Sequence, residues 1–183
     1  DQPNHDVDLV VEGDAIALVR AIQSKFGGDM RSHSQFGTAK WLLDDDVAEA
    51  LGVDVEDSGW PAFVDFVSAR TEFYDQPTAL PIVQRGSIKL DLHRRDFTMN
   101  AIAFDVHAQT VIDPLNGAAD LRAKLIRACS PTSLADDPIR ILRAIRQAAE
   151  FGFKIELETR KAMKEAASLL PNVSSERKRD ELF

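Results

Sequence analysis

Residues 6–13, DVDLVVEG, place two acids inside an apolar run that holds no turn residue before Gly13. Successive side chains of a strand point to opposite faces. Asp6, Asp8 and Val10 therefore share one face, and Val7, Leu9 and Val11 share the other. The segment predicts a strand ending at Gly13 and followed at once by a helix. Asp14 is placed to cap that helix, Leu18, Ile22 and Phe26 form an apolar stripe, and Gly27–Gly28 stop it. A strand followed directly by an amphipathic helix puts this end of the chain in the mixed α and β classes.

The same reading carries along the chain. MRSHSQF and TAKWLL, on either side of Gly37, predict two short strands, and AFVDFVSAR (62–70) a further one. The acidic stretch 42–59 reads as a surface loop with a short helix. Residues 71–90, with Pro77 and Pro81 and little periodicity, read as a loop. DLHRRDFTMNAIAFDV (91–106) predicts a helix, and QTVIDPLNG a short strand running into a turn. Three helices are expected after that: SLADDPIRILRAIRQAAEFG ending at Gly152, ELETRKAMKEAASLL ending at Pro171, and SSERKRDEL. The predicted fold class is α+β, with a mixed sheet over residues 1–128 and an all-helical portion over 129–183.

Composition excludes some functions. With 44% hydrophobic and 28% charged residues and no apolar run near the ~20 residues that span a bilayer, no membrane role is expected. The polar, acidic first residues do not read as a signal peptide. The single cysteine, Cys129, cannot form an internal disulfide and fits a reducing compartment, so a cytoplasmic location is expected. A net charge of −8 argues against a general nucleic-acid binder. The charge is uneven, however: acids gather in 42–59, and bases in HRRDF, RILRAIR and ERKRD. A basic groove can still form locally.

Two carboxylates one residue apart on a strand can share divalent cations. Hard, oxygen-rich sites of this kind favour magnesium. Two such ions stabilise both the attacking and the leaving oxygen of a phosphoryl displacement. Asp65, in the middle of VDFVSAR, is the candidate third ligand, because an acid in mid-strand is costly unless partnered. The plain alternatives are a capping or turn pair for Asp6 and Asp8, and a water-facing edge charge for Asp65.

Five segments in order resemble the class II tRNA nucleotidyltransferases, the CCA-adding enzymes and their bacterial poly(A) polymerase relatives. These are HDVDLVV, RRDFTMNAIA (94–103), DPLNGAADLRAKLIR (113–127), DDPIRILRAIR (136–146) and SSERKRDEL (174–182). The resemblance implies a nucleotidyltransferase head with a mixed sheet (1–128) and a truncated helical neck (129–183). It implies Asp6, Asp8 and Asp65 as catalytic metal ligands for two magnesium ions, with manganese as a substitute. Arg95, Asp96 and Asn100 would contact the nucleotide's ribose and phosphates. Asp137 and Arg140 would read the base, with Arg143 one turn further along. Without the family, Arg94–Asp96 read first as a solvated helix start, and Asp137 before Pro138 as an N-cap.

The implied activity is template-independent addition of C, A or both to a tRNA 3′ end from CTP and ATP. A poly(A) polymerase is the alternative, and a non-catalytic RNA-binding module a lesser one. Asp113 and Gly117 are expected to shape a turn, Arg177 and Glu181 to pair within the last helix, and His33 to pack. Residues 71–90 match a loop thought to help the site switch nucleotides. The family's Gly-Gly-x-Val-Arg-Asp turn is missing upstream, as are the body and tail domains downstream. Activity is therefore expected of a longer protein.

Overall fold

A computed structural model describes residues 7–54, 60–73 and 82–182. The chain forms two compact units, Asp1–Arg70 with Val83–Ile88, and Thr71–Ile82 with Lys89–Phe183.

In the first unit, strands β1 (Val7–Val11), β2 (Asp29–His33), β3 (Thr38–Leu42) and β4 (Phe63–Ser68) form one sheet in the order β1-β4-β3-β2. The β1–β4 pair is parallel and the other two pairs are antiparallel, which makes the expected mixed sheet. Helix α1 (Ala15–Phe26) packs across it. Asp14 caps α1, its Oδ1 accepting the Ala17 N–H at 3.0 Å. The buried residues of α1 are Ala15 and Val19, with Ile16, Ile22 and Phe26 packed beside them. Leu18, expected in the stripe, is 39% exposed. The buried face is thus set by Ala15, Val19, Ile22 and Phe26, spaced by four, three and four residues. Ala39 and Trp41 of β3, Phe66 of β4 and Val47 of α2 (Asp45–Leu51) complete this core. Gly28 must be glycine: its φ is +77°, and a Cβ there would lie 2.5 Å from the Leu42 carbonyl oxygen.

Strands β5 (Arg70–Phe73) and β6 (Ile82–Arg85) pair as a two-stranded sheet, and α3 (Ile88–His93) follows. The loop expected over 71–90 is therefore partly regular; its centre, 74–81, lies outside the described residues. A pattern too short to show period 2 hid these four-residue strands.

The helix expected over 91–106 forms only at 91–93, the end of α3. After α3 come a 3-10 turn (Thr98–Asn100), strand β7 (Ala103–Asp105) and its antiparallel partner β8 (Thr110–Ile112). Tertiary partners take the amides a helix would have used. The Asp96 carboxylate accepts the Phe97 N–H at 2.7 Å, and the Arg127 carbonyl accepts that of Thr98 at 2.9 Å. Phe97 is fully buried in the second core with Met99, Ile126, Leu134, Ile141, Ala144 and Ala166.

Helix α4 (Gly117–Arg122) begins where Asp113 accepts the amides of Gly117 and Ala118. Strand β9 (Leu125–Ile126) pairs in parallel with β10 (Lys154–Ile155), so the helical portion contains one short strand. The helix expected over 133–152 breaks into α5 (Ser133–Asp136) and α6 (Ile139–Phe151). Asp137 is extended there (φ −137°, ψ 91°) because a residue before proline is driven out of the helical region. Helices α7 (Leu157–Ala166) and α8 (Ser175–Leu182) complete the chain. Among the described residues no helix is long and apolar enough to cross a membrane.

Candidate functional site

The sheet of the first unit puts Asp8 directly opposite Asp65 across the parallel β1–β4 pair. Lys40 of β3 lies opposite Asp65 on its other side, and Arg31 of β2 opposite Lys40. Residues in register point to one face, so a charged row of two acids and two bases crosses the sheet. Leu9, Phe66 and Ala39, the neighbouring row, belong to the core under α1. The charged row therefore lies on the opposite face. Asp8 is exposed and Asp65 half-buried. The Lys40 ammonium sits 2.9 Å from Asp65 Oδ2 and 3.3 Å from the Phe63 ring centroid.

Asp6 lies outside the described residues. No group of three or more candidate metal ligands occurs among the described residues. The donors present still suit a hard divalent cation. They are carboxylate oxygens in register on adjacent strands, and one of them already attracts an ammonium.

The second unit gathers Arg95, Asp96, Asn100, Asp137, Arg140 and Arg143 into one hydrogen-bonded network. Asp96 is 8% exposed and accepts three hydrogen bonds: Oδ1 from the Phe97 amide and from Asn100 Nδ2 at 3.1 Å, and Oδ2 from Arg143 Nη1 at 3.1 Å. The Asp96–Asn100 contact closes over the 3-10 turn Thr98–Asn100. Arg143 also donates Nε to Glu181 Oε1 at 2.7 Å. Burial works against its charge, but Glu181 and Asp96 outweigh burial and raise its pKa above the ordinary value.

Arg140 is buried and committed. Its terminal nitrogens donate to Ser133 Oγ at 2.7 Å and to the carbonyls of Arg94 and Arg95 at 3.0 and 3.4 Å. Asp137 does not use its side chain as the N-cap that the sequence allowed. Its Oδ2 accepts from Arg177 at 2.8 Å, and its Oδ1 is buried without a donor. Arg95 Nε is likewise buried without an acceptor. Buried polar atoms left open are costly, and such atoms mark a place where a ligand can complete the bonding.

Residues outside the expected set also contribute. Asp91 is fully buried and holds Arg94 at 2.6 Å and Arg95 at 3.3 Å. Its i, i+3 and i, i+4 spacing to those arginines was a usable signal. The pair expected between Arg177 and Glu181 does not form. Arg177 reaches Asp137, while Glu181 takes Arg143 and Arg146 and so ties α8 to α6. No sequence signal reveals contacts 35–40 residues apart. His33 is exposed at the end of β2 rather than packed. Cys129 is not a reactive thiol: burial and the nearby Asp96 push its pKa up to about 12.

The Glu181 junction predicts a pH dependence. Burial pushes its carboxyl up, but bonds from Arg143 and Arg146 outweigh that and hold it below the ordinary glutamate value. A depressed folded pKa contributes stability that is full above the unfolded value and lost as pH falls through the folded one. Glu181→Gln should cost about 2 kcal/mol at neutral pH. It should also flatten the loss of stability below the ordinary glutamate range, as measured by urea unfolding at a series of pH values. An unchanged acid slope would remove Glu181 from that role.

Comparison with known proteins gives this arrangement a class. Residues 1–127 match the family model described as the poly A polymerase head domain. Residues 152–183 match one described as "Probable RNA and SrmB- binding site of polymerase A". The A-adding tRNA nucleotidyltransferase of Geobacter sulfurreducens is 38% identical over 169 residues, which are 91% of this chain and 18% of that protein. The CC-adding tRNA nucleotidyltransferase of the same organism is 37% identical over 182 residues, covering 100% of this chain and 36% of that one. A solved CCA-adding enzyme (apo form II) superposes with a TM-score of 0.82 at 34% identity, over 98% of this chain and 40% of its own. The mixed sheet with its acidic strand is a nucleotidyltransferase head, followed by part of a helical neck. The chain belongs to the poly A polymerase head-domain family. It spans well under half the length of these relatives.

Proposed function

We propose that this chain is the catalytic head, with part of the neck, of an enzyme that adds C, A or both to the 3′ end of tRNA from CTP and ATP. The observation that carries the proposal is the register of Asp8 against Asp65 on adjacent parallel strands. It provides two carboxylates, one row from the core, where a divalent cation can be shared. The relatives' names supply the substrate class, since they include both A-adding and CC-adding tRNA nucleotidyltransferases. The division into head (1–128) and neck (129–183) is supported by a head-model match over residues 1–127. The reaction is a cytoplasmic one.

Asp6, Asp8 and Asp65 would hold two magnesium ions, or manganese in their place. Bound there, the ions would supply charge stabilisation to the attacking and leaving oxygens. The RNA 3′-hydroxyl attacks the α-phosphate in line, and pyrophosphate leaves. Lys40 and Arg31 continue the charged row as cations suited to phosphate oxygens. Arg95 and Asn100 contact the ribose and phosphates. Asp96 orients Asn100 and Arg143, and its Oδ2, with Arg143 as its one donor among the described residues, keeps an acceptor position for the nucleotide. Asp137 reads the base with Oδ1, which no donor occupies. Arg140 holds the 94–95 backbone against α6 through Nη1 and Nη2 and offers the base its remaining N–H groups, on Nε and Nη2.

The products decide the specificity. The full-length protein is to be given tRNAs ending in no C, one C or two C, with CTP, ATP or both. Addition of single A residues to the last substrate alone defines an A-adding enzyme, and stepwise completion of all three a CCA-adding one. The description of the head model favours a second reading, a poly(A) polymerase. Long homopolymeric A tails on a generic RNA would establish it and overturn the first.

A further inference from the structure

We infer that Arg177 positions the Asp137 carboxylate for base reading and thereby sets the discrimination between amino-bearing and carbonyl-bearing bases, a role that rests on the base-reading function proposed above for Asp137.

Asp137 faces two competing demands. It sits immediately before Pro138 at the start of α6, where an aspartate ordinarily turns its carboxylate onto the first amides of the helix. It does not do so here. The Arg140 amide donates instead to the Asp137 backbone carbonyl at 3.1 Å. Among the described residues the one donor reaching the carboxylate is Arg177, whose Nη2 lies 2.8 Å from Oδ2. A guanidinium from α8 therefore holds one oxygen and keeps the other from folding back onto the helix. That other oxygen, Oδ1, is buried with nothing donating to it.

An ionised carboxylate only accepts hydrogen bonds. Adenine and cytosine present an amino donor on the Watson–Crick edge, whereas guanine and uracil present a carbonyl oxygen in the same place. An Oδ1 fixed in place with no donor of its own accepts from the first pair and repels the second. Without Arg177 the carboxylate is released to cap α6, and its contact with the base is lost. Helix α8 does not depend on Arg177 for docking, because Glu181 separately binds Arg143 and Arg146. Loss of Arg177 should therefore leave the neck folded.

The test measures single-nucleotide incorporation by the full-length protein with each of ATP, CTP, GTP and UTP, as kcat/KM. Arg177→Ala should lower the preference for amino-bearing over carbonyl-bearing nucleotides by on the order of tenfold or more. Arg177→Lys should retain most of the preference, and added guanidinium should restore it in the alanine variant. An equal loss for all four nucleotides, or an unchanged ratio, overturns the inference and leaves Arg177 a structural residue. Asp137→Ala separates the two levels of the claim. If it too keeps the wild-type preference, or if the wild type incorporates no nucleotide, the base-reading proposal itself falls and this inference with it. If Asp137→Ala loses the preference while Arg177→Ala keeps it, only the role of Arg177 is overturned.

Discussion

Asp8→Ala in the full-length protein is expected to lower nucleotide addition by about a thousandfold. Divalent cations held at such a site are worth several kcal/mol of transition-state charge stabilisation, and each 1.36 kcal/mol is about a tenfold change in rate. Losing a shared ligand forfeits most of that. The effect on folding should be small, because Asp8 is exposed on the open face of the sheet, while Leu9 and Val11 make the core contacts. Asp65→Asn should behave similarly, with a modest added cost from releasing Lys40. Measured rates of incorporation, set beside unchanged circular dichroism and urea unfolding, would separate chemistry from stability. A folded Asp8→Ala protein that retained more than about a tenth of wild-type activity would exclude the paired-carboxylate mechanism.

How far this site could be read in advance depended on the range of each interaction. Strand β1 was legible because its two faces differ in chemistry residue by residue, and alternation is a local signal. Asp65 stands out in the sequence as an acid in mid-strand, but its position opposite Asp8 is a property of register, which the sequence does not display. The cap at Asp14 and the break at Gly27 were local and were found. The stretch 91–106 shows the opposite case. Its composition suits a helix, yet Phe97 is pulled into the second core and Asp96 turns onto the next amide. Tertiary burial overrode propensity there. Asp137 illustrates the intermediate case. The sequence allows either a cap or a base reader, and the carboxylate leaves the helix amides to pair with Arg177, 40 residues away.

Gly117→Ala is expected to destabilise the second unit by about 3 kcal/mol, and more than its single added methyl suggests. A Cβ at this position would lie 1.9 Å from the Thr98 carbonyl oxygen and 2.7 Å from its carbon. Backbone on both sides makes the clash, so no rotamer change relieves it. Helix α4 is fixed in place by Asp113, which takes the amides of Gly117 and Ala118, and by Asp120, which accepts from Thr98 Oγ1 at 2.7 Å and from Arg127. The segment left to yield is the 3-10 turn of Thr98–Asn100. That turn carries Asn100, whose Nδ2 bonds Asp96, the residue that anchors Arg143. The substitution should therefore lower the melting temperature by about 6–12 °C. At temperatures where the protein stays folded it should also raise KM for the nucleotide. If stability falls while KM holds, the turn is a structural support alone. If neither moves, α4 does not press on it as the geometry requires.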